Sequence, residues 1–174
     1  QLAALSHRDK SNQERQRQVD QCWQGIPPDL KTEQSLLSAY VRELMAIGEH
    51  DQAEKILSKA INNEPHAQWI TLYGLLVCED PKQPLKKAER WLDKTQSPEL
   101  LLSLGRLCLQ NKQWGRAIDF FEVSLAKQES PEAYAELARL LDYVGESKKS
   151  EHYCKKGLLA STNALADNSV LVGH

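Results

Sequence analysis

A helical hairpin repeats along this chain, and its period constrains the fold more than any other feature of the sequence. The best copy runs from Ser97 to Leu125, where two short amphipathic segments are separated by the polar run 110–113. Each segment carries apolar residues at three- and four-residue spacing, so each predicts a helix with one hydrophobic face. Because two helices this short leave those faces largely uncovered, we expect copies of the pair on either side.

The copies align on one position of the first helix, which is occupied by Val41, Gly74, Gly105 and Ala138. The steps between these residues are 33, 31 and 33 positions. Three copies keep the same register in both helices, whereas the second helix of the copy at Gly74 is displaced and predicts a longer turn. In that copy we expect a first helix over 69–78, with Gly74 on it.

Several residues predict where individual helices begin and end. Ser97 followed by Pro98 is typical of a helix start, since a serine hydroxyl can cap the first turn and proline is tolerated there. Gly48 and Gly145 follow apolar helical stripes and are typical of helix ends. At Gly105 the missing side chain should allow a neighbouring helix to approach closely.

The aligned positions resemble the tetratricopeptide repeat, whose 34-residue pattern is W-x2-L-G-x2-Y followed by A-x3-F. In the best copy the pattern falls on Leu101, Leu104, Gly105, Cys108, Ala117 and Phe121. The resemblance covers about residues 33–160 and implies an all-α fold, a right-handed α-solenoid of antiparallel helix pairs. The expected organisation is an N-terminal helical extension (1–31), four repeats (about 32–65, 66–96, 97–129 and 130–160) and a flexible tail (161–174).

A narrower resemblance comes from four segments, HDQAEKILSKAI, WITLYGLL, LLLSLGRLCLQNKQWGRAIDFFEVSLA and PEAYAELARLL. They resemble the C-terminal domain of HemY, a bacterial membrane protein of the haem-biosynthesis operon, and CWQGIPPDLKTEQSLLSAYVREL is similar to the approach to its repeats. The resemblance implies an inner-membrane protein with an N-terminal transmembrane hairpin outside this fragment and this domain on the cytoplasmic side. It also implies a scaffold role in late haem synthesis, with other proteins as partners, including enzymes of that pathway.

Composition argues against several other classes of function. The chain has 24 acidic and 22 basic residues, a net charge of −2, which gives no sign of nucleic-acid binding. No apolar run is long enough to span a bilayer. The four cysteines form no CxxC pair, so we predict no metal site. Three of them, Cys78, Cys108 and Cys154, fall on apolar helix faces and predict buried thiols, although the spacing leaves a disulfide open.

Candidates for catalysis are few. His152 and Cys154 lie two residues apart on a predicted helix and point in different directions. Glycine-rich phosphate-binding patterns do not occur. We therefore predict no catalytic residues and no cofactor. Two alternatives to the HemY-type scaffold remain open: a general tetratricopeptide adaptor unrelated to haem, and a porphyrin-binding regulator.

The register also predicts a partner-binding surface, because the first helices of tetratricopeptide arrays line a concave groove. Groove-facing positions lie one and four residues after the aligned position. They are Arg42, Met45, Arg106, Leu109, Arg139 and Asp142, with Leu75 and Cys78 in the second copy and Tyr143 just beyond the last. Arginine suits a carboxylate or peptide ligand, because its planar fork makes paired hydrogen bonds. The alternative is that the arginines pair with nearby carboxylates such as Glu43, Glu136 or Asp142.

Overall fold

The computed structural model describes residues 14–170, with side chains described as far as Thr162. All regular structure in this range is helical. A 3₁₀ turn, Leu30–Thr32, lies between the first two helices. The helices are α1 (14–24), α2 (Gln34–Ile47), α3 (His50–Asn63), α4 (Ala67–Tyr73), α5 (Lys82–Trp91), α6 (Pro98–Gln110), α7 (Trp114–Lys127), α8 (Pro131–Tyr143) and α9 (Ser147–Val170).

The chain divides into two compact units, Gln1–Asp80 and Pro81–His174. In the first unit α2, α3 and α4 pack against one another, and the 3₁₀ turn packs against α2. In the second unit α5 packs against α6, α6 against α7, α7 against α8 and α8 against α9. The division falls inside the second predicted repeat, 66–96, and the organisation into four repeats stays a prediction.

Local signals place the helix ends as the sequence predicted. The Leu100 amide donates to Ser97 Oγ at 3.3 Å, with Pro98 in the first position of α6. Gly48 and Gly145 adopt left-handed φ angles of 93° and 87° after α2 and α8. Only glycine adopts this conformation without strain, so these two residues end their helices and let the chain turn back.

The core of the second unit contains a close approach between α6 and α7. Phe121 on α7 is completely buried, and its ring lies against the backbone of Gly105 on α6. A methyl group added to Gly105 would overlap the ring carbons. The close approach predicted at Gly105 is therefore confirmed, and the lack of a side chain there makes room for Phe121.

The predicted helix over 69–78 is wrong at its C-terminal half. α4 ends at Tyr73 and the chain leaves the helix after Gly74. The Val77 amide donates to His50 Nδ1 at 3.3 Å, and the Cys78 thiol donates to the His50 carbonyl at 3.7 Å. These bonds to the start of α3 replace helical ones. Leu75 and Cys78 therefore do not occupy groove positions on a first helix.

Two predicted boundaries also shift. Thr32 belongs to the 3₁₀ turn, where its hydroxyl donates to the Asp29 carbonyl at 2.8 Å, and α2 begins at Gln34. The last helix continues to Val170 instead of ending near Ala160. Ala164, Leu165 and Ala166 are good helix formers, and extending a helix costs less than starting one. Residues 1–13 of the predicted extension and 171–174 of the predicted tail lie outside the described residues, and the flexibility of the tail stays a prediction.

Candidate functional site

Two of the predicted arginines share one carboxylate in the second unit. Arg106 on α6 donates from Nε to Glu136 Oε1 at 3.2 Å. Arg139, one turn after Glu136 on α8, places Nη2 3.0 Å from Glu136 Oε2. Both carboxylate oxygens are thus occupied by different arginines, and the trio keeps one positive charge in excess. Because Glu136 holds residues from two first helices, it fixes the spacing of their side chains.

The two arginines differ in exposure. The Arg106 side chain is 11% exposed, whereas the Arg139 side chain is 72% exposed. Arg106 Nη1 is buried and has no hydrogen-bond partner within the described chain. Leaving a buried N–H unpaired costs free energy. Arg139 presents the accessible charge, and Arg106 anchors the carboxylate behind it.

An open cavity of about 280 Å³ lies beside this trio. We call it the arginine groove, and its lining residues are Leu109, Trp114, Glu136, Arg139, Leu140 and Tyr143. The Trp114 and Tyr143 rings meet edge to face, with centroids 5.3 Å apart and an interplanar angle of 63°. Tyr143 is 73% exposed, whereas Leu140 is buried. The groove therefore combines an aromatic and aliphatic wall with a fixed cationic group.

Four of the predicted groove residues come together here. Leu109, Arg139 and Tyr143 line the groove, and Arg106 contacts it through Glu136. Asp142 is exposed on α8 and is not a lining residue. The role of these residues in binding stays a prediction.

The other two predicted residues, Arg42 and Met45, lie on α2 in the first unit. Arg42 is exposed and makes no ion pair within the described residues, and Met45 is half-buried. Glu43, which follows Arg42 in the sequence, pairs instead with Arg15 of α1. Arg15 Nη2 lies 2.8 Å from Glu43 Oε2. The alternative that each arginine pairs with a nearby carboxylate holds for Arg106 and Arg139, but not for Arg42.

Sequence reasoning missed Trp114 and Leu140 and treated Glu136 only as a possible partner of an arginine. Trp114 is the first residue of α7, a second helix, so a register restricted to first helices excludes it. The sequence signal for Trp114 was its position directly after the polar run 110–113. An indole at the start of a helix can pack over the neighbouring turn.

Aromatic and polar contacts attach α1 to α2 in the first unit. Trp23 stacks on Tyr40, with ring centroids 4.0 Å apart and planes within 1°. The Tyr40 hydroxyl donates to Asp20 Oδ1 at 3.1 Å and accepts from Gln52 Nε2 at 3.2 Å. Burial, and next the hydrogen bond to Asp20, raise the pKa of Tyr40 to about 12. The phenol therefore stays protonated and keeps this bond at neutral pH.

The cysteines separate into two pairs. Cys78 and Cys108 are buried, as predicted, and burial raises the pKa of the Cys108 thiol to about 11. Cys22 and Cys154 are exposed, and none of the four forms a disulfide. The burial predicted for Cys154 is wrong, because no helix within the described chain follows α9 to cover that face.

Neither a metal centre nor a membrane span is present in the part of the chain that the structure describes. No cluster of three or more His, Cys, Asp or Glu side chains there could hold a metal ion. No helix among the same residues has the length and apolar character needed to cross a membrane.

Solved structures of MamA are similar to this chain over most of its length. MamA from Desulfovibrio magneticus RS-1 (41 to its end) aligns with a TM-score of 0.56 at 13% identity, covering 87% of this chain and 96% of that one. MamA of MSR-1 aligns with a TM-score of 0.54 at 15% identity, covering 94% and 99%. No protein-family model matches the chain, and no curated protein matches it either. The likeness confirms the predicted class, an all-α fold of the tetratricopeptide type.

Proposed function

We propose that this chain is a non-enzymatic scaffold that binds a segment of another protein in the arginine groove. One observation carries the proposal: Glu136 holds Arg106 and Arg139 beside a cavity walled by Trp114 and Tyr143. Tryptophan, tyrosine and arginine are the residues that contribute most to binding at protein interfaces. Here all three types meet at one cavity.

The groove selects its ligand by two contacts. A bulky apolar side chain of the partner enters between Trp114, Leu109 and Leu140, where it leaves water. A carboxylate close to it in the partner chain pairs with the exposed guanidinium of Arg139, which Glu136 holds in a defined orientation. Each hydrogen bond to a charged group contributes about 1.5–3 kcal/mol when it is shielded from water. The excess positive charge of the trio disfavours basic segments.

At a finer level, we infer a HemY-type scaffold that acts in late haem biosynthesis. Its support is the sequence resemblance over the repeats and the segment before them. In this form the domain lies on the cytoplasmic side of a bacterial inner membrane, and its partners include haem-pathway enzymes. A general tetratricopeptide adaptor would use the same groove without the membrane or the pathway.

A peptide-display selection tests the groove directly. A random peptide library is selected on the wild-type protein alone, and the enriched peptides are then measured on the Arg139→Ala variant. Enriched peptides should carry an aromatic or aliphatic residue next to Asp or Glu, and their affinity should fall about tenfold for Arg139→Ala. Lys148→Ala, an exposed change on α9, is the matched control. Peptides that bind all three proteins equally would contradict the proposal.

Crosslinking separates the finer alternatives. A photoreactive residue in place of the exposed Tyr143 is crosslinked in bacterial membranes, and the products are compared with those of the Arg139→Ala background. Arg139-dependent crosslinks to haem-pathway enzymes would support the HemY-type role. Arg139-dependent crosslinks to unrelated proteins would identify a general adaptor instead.

A further inference from the structure

The first unit contains a cavity that the arginine groove does not explain. It has a volume of about 380 Å³, is partly open to solvent and is bordered by α1, the 3₁₀ turn, α2, α3 and α4. We call it the lysine pocket, and its lining residues include Trp23, Lys31, Leu37, Ile56, Lys59 and Trp69. Its size falls in the range of about 300–1,000 Å³ that small-molecule sites occupy.

The apolar part of its wall is held in place. Trp69 is 3% exposed, and its indole N–H donates to the Gln34 carbonyl at 3.4 Å. The polar atom of this ring is therefore satisfied by the backbone, which leaves carbon atoms for the pocket. Trp23 is held by its stacking on Tyr40. Leu37 is buried and Ile56 half-buried, so an apolar ligand would meet two indole rings and two branched side chains.

Two ammonium groups lie at the same cavity. Lys31 Nζ lies 5.7 Å from the centroid of the Trp23 ring, a cation–π contact that draws the charge toward the wall. Lys59 is exposed on α3. Neither lysine makes an ion pair within the residues that the structure describes.

A single carboxylate, that of Glu64, lines the lysine pocket, and it lies 3.6 Å from Nε2 of His66. Two ammonium groups against one carboxylate leave the lining with one positive charge in excess. An ammonium group is a compact charge, whereas a guanidinium group is a planar array of donors. The two lysines therefore suit a small anionic head better than arginines would.

From this combination we propose that the lysine pocket binds a small amphipathic anion, with an apolar body and a single anionic head. The body packs between Trp23 and Trp69, and the head lies between the ammonium groups of Lys31 and Lys59. Ligands with an aromatic apolar body and ligands with an aliphatic one both meet this description. The site is independent of the proposed scaffold function, since none of its lining residues belongs to the arginine groove.

Paired fluorescent and aliphatic probes test the proposal on the full chain. Anilinonaphthalenesulfonate carries an aromatic body and an anionic head, and N-phenylnaphthylamine is its uncharged counterpart. We expect saturable binding of the sulfonate at one site, about tenfold tighter than that of the neutral probe. Displacement by dodecanoate but not by dodecanol would show that an aliphatic body also fits, whereas failure of dodecanoate to displace it would restrict the ligand to aromatic anions.

Variants then locate the probe. Lys31→Gln combined with Lys59→Gln should weaken sulfonate binding about tenfold and leave the neutral probe unchanged, because only the charge contacts are removed. Ala60→Phe, which places a ring in the cavity, should abolish both. Lys55→Gln on the exposed face of α3 is the matched control, and Arg139→Ala should have no effect.

Circular dichroism during thermal unfolding checks that each variant is folded. Sulfonate binding that survives both Ala60→Phe and the double lysine change in folded protein would overturn the proposal. Equal affinity for the charged and uncharged probes would overturn it as well, since the anionic head would then contribute nothing.

Discussion

The two units place side chains of different sizes at the same two positions of the repeat. In the first unit Val41 on α2 and Leu57 on α3 are completely buried, sixteen residues apart. In the second unit the same two positions are held by Gly105 and Phe121, also sixteen residues apart. Where the first unit has two side chains of intermediate size, the second unit has no side chain at the first position and a large ring at the second. Packing therefore constrains the combined volume of the two positions more than the identity of either.

The largest expected effect comes from breaking this complementarity in the second unit. Gly105→Val should lower the free energy of unfolding by about 3 kcal/mol, because the new side chain requires the space of the Phe121 ring. Urea denaturation followed by circular dichroism measures the loss. Gly115→Ala on α7 is the control, since no atom lies within 4 Å of its added Cβ. Because alanine favours a helix more than glycine does, Gly115→Ala should cause no loss, and an equal loss in both variants would contradict overlap with Phe121 as the cause.

A second change should repair the first. Gly105→Val combined with Phe121→Leu gives the second unit the residues of the first, so we expect it to recover more than about half of the lost stability. The measurement is a double-mutant cycle by urea denaturation. If the stability losses of the two single variants simply add, the side chains at the two positions do not occupy one shared volume. The comparison between the two units would then be wrong.

The next effect contrasts the ion pairs of the two units. Glu136→Gln should destabilise the protein by about 2 kcal/mol, because it leaves the mostly buried Arg106 without a counter-charge. Glu43→Gln removes the Arg15–Glu43 pair, whose side chains are 55% and 48% exposed, and should cost less than about 0.5 kcal/mol. Chemical denaturation of both variants makes the comparison. Equal costs would mean that solvent screens Glu136 as fully as Glu43.

The last effect, which is confined to high pH, concerns Tyr40 and the attachment of α1. Its pKa is raised from 10.0 to about 12 by burial and by Asp20, so the folded state keeps a proton that the unfolded state loses above pH 10. Stability from this group is therefore complete below pH 10 and is lost as the pH rises toward 12. The difference between the tyrosinate absorbance titrations of wild type and Tyr40→Phe should have its midpoint near pH 12. A midpoint near pH 10 would mean that the phenol is open to solvent.

Short-range features of the fold could be predicted from the sequence. The cap at Ser97, the helix ends at Gly48 and Gly145 and the close approach at Gly105 each depend on residues within one hairpin. The end of α4 could not be predicted in this way. Gly74 holds the same register as Gly105, but the chain after it bonds to His50, a residue of an earlier hairpin.

The candidate site shows the same limit. The register located Arg106 and Arg139, because both lie one residue after the aligned position. It did not show that Glu136 binds both at once, since that depends on the distance between α6 and α8. It also excluded Trp114, which reaches the groove from the start of a second helix. A one-dimensional period predicts which residues lie on a face, but not which faces meet.

The close contact of Gly105 with Phe121 has a consequence for how such a protein can be altered or assembled from parts. Either helix of that hairpin, transferred alone into another repeat, would carry half of a matched pair and would leave a clash or a void. The exchangeable module is therefore the whole hairpin, from Ser97 to Lys127. Chimeras with junctions in the turns before and after it should fold, whereas a junction at 110–113 should not.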